Sequence, residues 1–400
     1  MNIFKQIYCR TFQMAFRIML PFLPYREPTI LKTNNDVVNT LSEQNKTKVF
    51  FVTDKNIRGL GLTKALEDNL TKNNINVTVF DEVMPNPTVS AVENAYAKYL
   101  ENNCDSIIAL GGGSVIDLAK TVGARVSHPN KSVNKMKGLL KLTKALPLFI
   151  AIPTTAGTGS ETTLAAVITD DKTHHKYAIN SFPLIPHYAL LDYNLTLGLN
   201  KRITSTTGLD ALTHAIEAYI GRSTTKLTRQ ASLDAIKLIY ENLEEVCLNP
   251  QNKDARFNML KASYLAGVAF TRSYVGYVHA VAHTLGGKYG VAHGFANAVI
   301  LPVVLKKYGE SAYDKLFEIA KHLNLTDDCD TPATGAYKVI AWIENLNKKF
   351  EIPETIKELK EEDIEELSIL ADKEGNPLYP VPRLMNAKEL QEIYKELLEK

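Results

Sequence analysis

Cysteine is scarce in this sequence, and its four residues are scattered as Cys9, Cys104, Cys247 and Cys329. None of them forms a CxxC pair, so the sequence offers neither a disulfide framework nor a thiolate metal site. This pattern is typical of a reduced intracellular protein, and we predict a cytoplasmic location.

An excess of charge of one sign and long apolar runs are also missing. The net charge is only +2, which argues against a nucleic-acid partner because such proteins concentrate basic residues on one face. An integral membrane span needs about 20 uncharged apolar residues in a row, and we predict none. The length of 400 residues favours two domains, since a single hydrophobic core rarely serves so long a chain.

Residues 1–30 form an unusual N-terminal extension. Apolar residues recur there at helical spacing, at Phe4, Ile7, Tyr8, Phe12, Phe16 and Met19. Arg17 interrupts the stripe and Pro21 and Pro24 follow it, which fits a signal peptide poorly. We favour an amphipathic helix docked on the protein or on a sister subunit. Peripheral membrane contact and a targeting role are the alternatives.

Between residues 31 and 199, short apolar runs alternate with helical segments. The runs predict strands at residues 48–54, 76–81, 106–110, 147–152 and 188–192. Strands that alternate with helices form βαβ units around a mainly parallel sheet. After about residue 200 the apolar period becomes 3.6, which predicts helices through residue 400. The expected fold is therefore an α/β N-terminal domain followed by an all-α C-terminal domain.

Two glycine-containing loops follow predicted strands and are candidate nucleotide sites. Residues 111–114 lead into a helix, whose first N–H groups can bind phosphate oxygens. Residues 154–161 add glycines and hydroxyl groups after the next strand, at the edge where open α/β sheets bind ligands. Residues 111–114 lack the GxGxxG spacing, so a plain strand-to-helix turn is the alternative.

Two charged residues are further candidates near a cofactor. Asp54 ends a strand and could accept hydrogen bonds from a ribose diol, which would favour NAD over NADP; the alternative is a helix cap. Lys176 lies beside the cofactor or is an exposed charge on a hairpin. His174 and His175 are adjacent and would point to opposite faces of a strand, so we do not count them as ligands.

Five side chains predict a metal site without thiolate. Asp210 and His214 are four residues apart, as are His279 and His283, so each pair shares one face of a helix. His293 follows in the same region. One carboxylate with three or four imidazoles is a donor set for a divalent metal. A lone histidine is more often a core residue, and spacing does not say which of the five are ligands.

The glycines between His279 and His293 bear on this prediction. On one straight helix the two histidines would be roughly 21 Å apart, too far to share an ion. Gly286, Gly287 and Gly290 lie between them. Because glycine ends helices and permits positive φ, the chain can turn and bring His293 back to the same point.

These segments resemble the iron-containing (group III) alcohol dehydrogenase family. The matching residues are 53–55, 85–88, 111–114 with Asp117 and Lys120, 153–161, 208–217 and 279–297. They occur in the family order, and together they are specific although no single one is. The resemblance implies a dinucleotide-binding α/β domain over residues 31–199, a helical metal-binding domain over residues 200–400, and an active site in the cleft between them.

The resemblance also implies roles for particular residues. By analogy Asp210, His214, His279 and His293 are the metal ligands, and His283 lies beside the nicotinamide and helps to move the proton. The matching cofactor positions are Asp54, Asn86, Gly113, Ser114, Thr155 and Lys176, and the two loops add Gly112, Asp117, Thr154 and Thr158 as candidates. Residues 1–30 and 374–382 depart from the common family pattern, which leaves substrate class and oligomer contacts open.

The expected chemistry is hydride transfer between a nicotinamide and a small primary alcohol or aldehyde whose oxygen is polarised by the ion. The family name favours Fe²⁺, with Zn²⁺ as the alternative; NAD is favoured and NADP is possible. We expect a homo-oligomer, a dimer or higher. The rival enzyme class is an NAD- and metal-dependent lyase or cyclase of the dehydroquinate synthase type. A metal-dependent hydrolase and a non-catalytic nucleotide-binding module are further alternatives.

Overall fold

The computed structural model describes residues 1–172 and 176–399, so His174 and His175 lie outside the described residues. The chain forms two compact units. One comprises Pro24–Gly198, and the other comprises Met1–Leu23 together with Leu199–Lys400. None of the helices in the described ranges is both long enough and apolar enough to cross a membrane.

The unit Pro24–Gly198 is built around a parallel sheet of six strands. The sheet strands are β1 (Thr29–Leu31), β2 (Lys48–Val52), β3 (Asn76–Phe80), β4 (Ser106–Gly111), β6 (Leu148–Pro153) and β9 (Tyr188–Leu190). Their order in the sheet is β1-β9-β6-β4-β2-β3. All five strands predicted from the sequence are present, within two residues at each end; β1 was not predicted.

Side chains on the two faces of this sheet enter two separate apolar layers. Phe50 and Ile107 belong to one cluster of buried residues, whereas their neighbours Phe51 and Ile108 belong to the other. This alternation follows from the two-residue period of a strand. Both layers are covered by helices, as expected for a parallel sheet. The helices are α2 (Asn34–Glu43), α3 (Lys55–Gly59), α4 (Lys64–Lys72), α5 (Val89–Glu101), α6 (Gly113–Ser127) and α7 (Val133–Met136).

A second, small sheet of three strands was not predicted from the sequence. It consists of β5 (Gly138–Leu139), β7 (Ala165–Thr169) and β8 (Lys176–Asn180). β7 and β8 pair antiparallel, with Thr169 opposite Lys176. The strands are short and fewer than half of their residues are buried, so their apolar pattern is too weak to separate them from loops.

The other unit is helical, which confirms the predicted change of period after residue 200. Side-chain caps begin several of these helices: Asn200 accepts from the N–H of Ile203 at the start of α8, and Thr225 accepts from that of Thr228 at the start of α9. Such caps satisfy N–H groups that have no partner inside the helix. The helices are α1 (Ile3–Met19), α8 (Lys201–Ile220), α9 (Lys226–Leu248), α10 (Lys253–Ser273), α11 (Tyr277–Tyr289), α12 (His293–Tyr308), α13 (Glu310–His322), α14 (Pro332–Lys349), α15 (Ile364–Gly375) and α16 (Ala387–Leu397).

Phe50 offers a test of the core beneath the parallel sheet. Its ring is fully buried and lies 5.6 Å from the ring of Tyr99 and 6.1 Å from that of Phe80, centroid to centroid. Phe50→Ala should lower the free energy of unfolding by about 3–5 kcal/mol, because it removes buried contacts and leaves a cavity. Denaturant titration measures this loss. Exposed Leu60→Ala is the control and should change stability by no more than about 0.5 kcal/mol; an equal loss in both variants would contradict the assignment of the core.

Candidate metal centre and dinucleotide site

Helix α8 carries a polar stripe on an otherwise apolar buried helix. Asp210, His214 and Glu217 recur at spacings of four and three residues, so they share one face. All three are buried. The surrounding residues of α8 are mostly small or aliphatic and pack against α9, α10 and α12. The sequence thus places three ionisable groups in the interior, where they need polar partners or a metal.

Helix α11 ends shortly before His293, and this break brings the histidine back to α8. Gly290 has φ 71° and caps α11 in the left-handed conformation, as glycine commonly does. Of the three glycines expected to let the chain turn, Gly290 alone makes the turn, because Gly286 and Gly287 lie inside α11. α12 then begins at His293 itself.

Gly294 permits the close approach of α12 to α8. A Cβ atom at this position would lie 2.5 Å from the carbonyl oxygen of Thr206 and 3.3 Å from Cβ of Asp210. A contact of 2.5 Å with backbone cannot be relieved by a side-chain rotation. Glycine is therefore required next to His293 for the imidazole to reach Asp210.

Four side chains converge at this point. Asp210, His214, His279 and His293 each offer one ligand atom, and these atoms all lie within 4.8 Å of one another. Nε2 of His293 is 3.6 Å from Oδ1 of Asp210. A tetrahedral ion with bonds of about 2.1 Å keeps its donor atoms about 3.4 Å apart, so the spacing suits one ion. His283 is not in this group of four.

The ring of His279 is oriented by Glu217. Nδ1 of His279 lies 2.6 Å from Oε2 of Glu217, whose Oε1 accepts the N–H of Val278 (2.8 Å). A carboxylate at Nδ1 holds the proton on that nitrogen and leaves the lone pair of Nε2 for a metal. Burial raises the pKa of Glu217 to about 7, and three backbone N–H groups oppose the rise. Burial and the neighbouring imidazoles hold the pKa of His279 well below its usual value, which favours the neutral form that a metal needs.

Asn297 lies one helical turn after His293 and contacts three of the four donors. Its Nδ2 donates to Oδ1 of Asp210 (2.7 Å) and lies 3.2 Å from Nε2 of both His279 and His293. Both Nε2 atoms therefore face the amide that also donates to the carboxylate of Asp210. Asn297 is fully buried, and its amide therefore helps to fix the direction of the donor set.

The donor set fits a divalent transition metal. It offers one carboxylate oxygen and three imidazole nitrogens without thiolate, the combination that suits iron or zinc. His214 is held by stacking on Phe270, with ring centroids 4.1 Å apart and planes 13° apart. Asp210, His214 and His279 are buried, whereas 38% of the His293 side chain is exposed. The set is thus rigid on its inner side and accessible from the side of His293.

His283 lies beside the donor set and has its own carboxylate. Its ring stacks on that of His293, with centroids 5.2 Å apart and planes 17° apart. Nδ1 of His283 lies 2.5 Å from Oε1 of Glu374, which also accepts from the hydroxyl of Tyr379 (2.7 Å). The charge of His283 and these hydrogen bonds lower the pKa of Glu374, although burial opposes this. The arrangement keeps Nδ1 occupied by a carboxylate and suits His283 for proton transfer at Nε2.

In the α/β unit, the two predicted glycine loops meet at one edge of the sheet. β4 and β6 are parallel neighbours, with Gly111 opposite Pro153. The N–H of Thr154 donates to the carbonyl oxygen of Gly111 (3.1 Å). Since both strands end at the same edge, the loops that follow lie side by side, at the position where parallel sheets bind ligands.

The glycines of the first loop leave room for a close approach. Gly112 caps α6 without a side-chain hydrogen bond to its first turn. A Cβ at Gly113 would lie 3.0 Å from Cγ2 and 3.2 Å from Oγ1 of Thr158, and a Cβ at Gly112 would lie 3.6 Å from Oγ1 of Thr155. The N–H groups of Gly113 and Ser114 and these two hydroxyls, which we call the glycine cradle, are hydrogen-bond donors of the kind that bind a pyrophosphate; its binding there stays a prediction.

Asp117 and Lys120 hold the second loop in place. Oδ1 of Asp117 accepts from the hydroxyl of Ser160 (2.7 Å), and Oδ2 accepts the N–H of Val167 (3.0 Å). Nζ of buried Lys120 donates to the carbonyl and hydroxyl oxygens of Thr163, both at 2.8 Å. These contacts give Asp117 a positioning role, and its direct contact with a cofactor stays a prediction.

The contacts of Asp54 are those of a helix cap, which was the alternative to a role in ribose binding. It follows β2, and its Oδ1 accepts the N–H groups of Asn56 and Ile57, both at 2.9 Å. Asp54 is thus the N-cap of α3. β2 neighbours β4 in the sheet, so this cap lies at the same edge as the glycine loops. A second role toward ribose stays a prediction.

Asn86 and Lys176 are connected through the small sheet. Asn86 lies in the exposed loop after β3 with φ 59°. The next residues, Pro87 and Thr88, pair with Thr169, which lies opposite Lys176. Lys176 therefore begins a strand that pairs antiparallel with β7; it is half-buried rather than the exposed charge of the alternative, and burial lowers its pKa. Thr169 of β7 thus lies between Lys176 on β8 and the segment that follows Asn86, and the contact of either residue with a cofactor stays a prediction.

Two family models match the chain over nearly its whole length. The model described as iron-containing alcohol dehydrogenase matches residues 28–193. The model for the C-terminal part of the Fe-containing alcohol dehydrogenase family matches residues 204–398. A 1,3-propanediol dehydrogenase from Citrobacter freundii is 38% identical over 353 residues, which cover 87% of this chain and 91% of the relative.

The chain belongs to the iron-containing alcohol dehydrogenase family.

Other members of the family agree in sequence and in structure. An NAD-dependent methanol dehydrogenase from Bacillus methanolicus is 33% identical over 91% of this chain and 95% of the relative. The crystal structure of a 1,3-propanediol oxidoreductase superposes with a TM-score of 0.90 at 34% identity, over 94% of this chain and 99% of that one. An alcohol dehydrogenase from Oenococcus oeni gives 0.89 at 31% identity, over 94% and 100%.

Membership settles the class of reaction. The chain is an alcohol dehydrogenase, as predicted from the sequence, and the lyase or cyclase alternative is not favoured. The family implies a divalent metal and NAD as cofactors, and the donor set and the glycine cradle have the chemistry for both. The metal-dependent hydrolase and the non-catalytic nucleotide-binding module, the further alternatives from the sequence, are likewise not favoured.

Sequence reasoning missed four residues that support the metal-centre side chains. For Glu217 and Asn297 a signal exists, since each continues the helical stripe of a predicted ligand, seven residues after Asp210 and four after His293. For Glu374 and Tyr379 no local signal exists. Glu374 contacts His283 from a segment about ninety residues further along the chain, and Tyr379 donates to Glu374; no spacing rule connects this segment with His283.

The orientation of His279 by Glu217 can be tested by substitution of Glu217. Glu217→Gln keeps the volume but places an amide NH₂ against Nδ1 of His279, which moves the imidazole proton to Nε2 and removes the lone pair there. The affinity for a divalent metal should fall about 10–100-fold. Competition with a chromogenic chelator measures it. Glu344→Gln, on the exposed side of α14, is the control, and an affinity equal to that of the control would refute the role of Glu217.

Proposed function

We propose that this chain is an iron-dependent, NAD-linked oxidoreductase for small primary alcohols or diols and their aldehydes. The observation that carries the proposal is the convergence of Asp210, His214, His279 and His293 within 4.8 Å. We assign these four residues as the metal ligands. Bound there, a divalent ion would supply a Lewis acid that polarises the substrate oxygen.

His283 is the residue we assign to proton transfer. Nε2 accepts the proton of the substrate hydroxyl as the hydride leaves the carbon, and returns it when the aldehyde is reduced. The imidazolium that forms is stabilised by Glu374, 2.5 Å from Nδ1. Exposure of 40% of the His283 side chain lets the proton continue to solvent.

The unit Pro24–Gly198 is assigned to the dinucleotide. The N–H groups of Gly113 and Ser114, at the uncapped start of α6, bind the pyrophosphate together with the hydroxyls of Thr155 and Thr158. The remaining residues assigned to the cofactor are Asp54, Asn86, Gly112, Asp117, Thr154 and Lys176. Asp54 would repel a 2′-phosphate, and this repulsion supports NAD over NADP.

The apolar surroundings of the donor set support a small and uncharged substrate. Ala211, Ala215 and Phe270 are the neighbours of Asp210 and His214 in sequence or by stacking. The related proteins include enzymes named for 1,3-propanediol and methanol, both small alcohols. Iron is our first assignment for the metal and zinc the second. A homo-oligomer and a cytoplasmic location stay predictions.

Removal of a ligand tests the metal centre. Asp210→Ala and His279→Ala should each abolish bound metal and alcohol oxidation while the fold survives, because either change deletes one of four donors. Metal analysis, absorbance of the reduced nicotinamide at about 340 nm and far-UV circular dichroism on the same sample measure the three properties. Asp234→Ala, on α9, is the control. Full activity in a metal-free variant would overturn the mechanism.

Asp54 provides a test of the cofactor assignment. Asp54→Gly should raise kcat/KM for NADP relative to NAD by at least about tenfold, since loss of ~1.4 kcal/mol of repulsion is a factor of ten. Glycine is tolerated at an N-cap, so α3 should lose only a few tenths of a kcal/mol. Asp192→Gly is a matched control, because Asp192 caps the turn after β9 in the same way. An unchanged ratio, or the same change in both variants, would reject the ribose role.

A further inference from the structure

Helix α1 is attached to the helical unit by its polar side. Nε2 of buried Gln13 donates to the carbonyl oxygen of Tyr379 (2.8 Å). The guanidinium of Arg10 donates to the carbonyl oxygens of Val381 (2.7 Å) and Pro382 (2.9 Å). Lys5, at the edge of this side, pairs with Asp372 (2.8 Å). Cys9 and Gln13 are the buried residues of α1.

The apolar side of α1 points outward. At 100° per residue, its large apolar residues occupy one continuous half of the helix, opposite Cys9 and Gln13. Exposure is 76% for Phe4, 61% for Ile18 and 85% for Phe22, which follows the helix. We define the α1 surface as the exposed residues Ile3, Phe4, Ile7, Tyr8, Phe12, Met14, Ile18, Met19 and Phe22. An apolar patch of this extent is rare on a protein that functions without a partner there.

This orientation reverses the usual arrangement of an amphipathic helix. The sequence favoured docking of the extension on the protein, and the helix does dock, but through glutamine, arginine and lysine. The apolar stripe that suggested docking is largely the exposed side; Phe16, half-buried against Tyr274 (5.1 Å between centroids), is the exception. Something outside the single chain must therefore cover the α1 surface.

Positive charge adjoins the α1 surface at one cavity. Residues 1–26 contain no Asp or Glu and four basic residues, of which Lys5 is paired with Asp372, Arg10 is bound to carbonyl oxygens beneath α1, and Arg26 belongs to the other unit. The fourth, Arg17, lines a cavity of ≈ 550 Å³ with Arg222, Arg229 and Lys315. Glu318 pairs with Lys315 (2.7 Å). In the part of the chain that the structure describes, the guanidinium groups of Arg17, Arg222 and Arg229 form no ion pair with a carboxylate.

We propose that α1 is a peripheral membrane anchor, whose apolar surface enters the interface of a bilayer while the cationic cavity binds the phosphate of an anionic phospholipid headgroup. An apolar helical face beside basic residues is the combination that binds such interfaces. A second copy of the chain is the other possible occupant. In a two-fold contact through α1, no acidic residue on α1 of the other copy would face Arg17, whereas an anionic bilayer complements the charge of Arg17 and of the cavity.

Sedimentation with lipid vesicles tests the apolar part of the proposal. The full chain is mixed with vesicles of phosphatidylcholine alone or with phosphatidylglycerol. The wild type should bind the mixed vesicles, and the double variant Phe4→Gln with Ile18→Gln should bind them at least about tenfold more weakly, since two side chains lose their burial in lipid. The matched control is Leu60→Gln with Leu248→Gln, whose leucines are 74% and 73% exposed elsewhere; it should bind like the wild type.

The cavity is tested by a second double variant, Arg222→Gln with Arg229→Gln. Binding to the mixed vesicles should fall about tenfold or more and lose most of its dependence on salt, because each basic residue near an anionic surface contributes to attraction. Alcohol oxidation without vesicles should be unchanged in all these variants, since none of the substituted residues belongs to the metal centre or the dinucleotide site. A failure of vesicle binding therefore leaves the proposed enzyme function intact.

Two results would overturn the proposal. One is equal binding of the wild type to both kinds of vesicle, or binding to neither. The other is an oligomer of the wild type that Phe4→Gln with Ile18→Gln dissociates in analytical ultracentrifugation, without any vesicle binding. The second result would assign the α1 surface to contact between copies of the chain.

Discussion

The metal centre depends on two places where a glycine lies closer to a polar group than any residue with a Cβ atom could. Gly294 lets the first turn of α12 lie against the carbonyl oxygen of Thr206, so that His293 reaches Asp210. Gly276, just before α11, lies equally close to Glu217: a Cβ atom at this position would be 2.6 Å from Oε1 of Glu217. These contacts set the separation of three helices, and the separation sets the distances between the donor atoms.

Much of the fold could be predicted because its signals are local. The strands of the parallel sheet are continuous apolar runs, and the helical unit has a regular 3.6-residue period. The five residues at the metal centre were likewise visible as two i, i+4 pairs and a histidine after a glycine. The resemblance to the iron-containing family then separated His283 from the four residues that the structure brings within 4.8 Å.

What could not be predicted depends on contacts between distant segments. Glu374 reaches His283 from α15, and nothing near either residue indicates the other. Asp117 looked like a ligand-binding carboxylate, yet both oxygens hold the loop of Ser160 and the strand of Val167. The orientation of α1 could not be predicted either, because it too depends on contacts with a distant segment. Hydrophobic periodicity predicts a helix and an apolar face, but it does not say whether that face is turned inward.

The unequal exposure of the four donors has a consequence for the kinetics of metal exchange. Asp210, His214 and His279 are enclosed, and only His293 borders solvent. Since His293 is the exposed donor, we expect an ion to enter or leave past this residue, at the first turn of α12. The left-handed stop at Gly290 immediately precedes this turn, so local opening there, rather than unfolding of α8 or α11, would govern how quickly the enzyme gains or loses its metal.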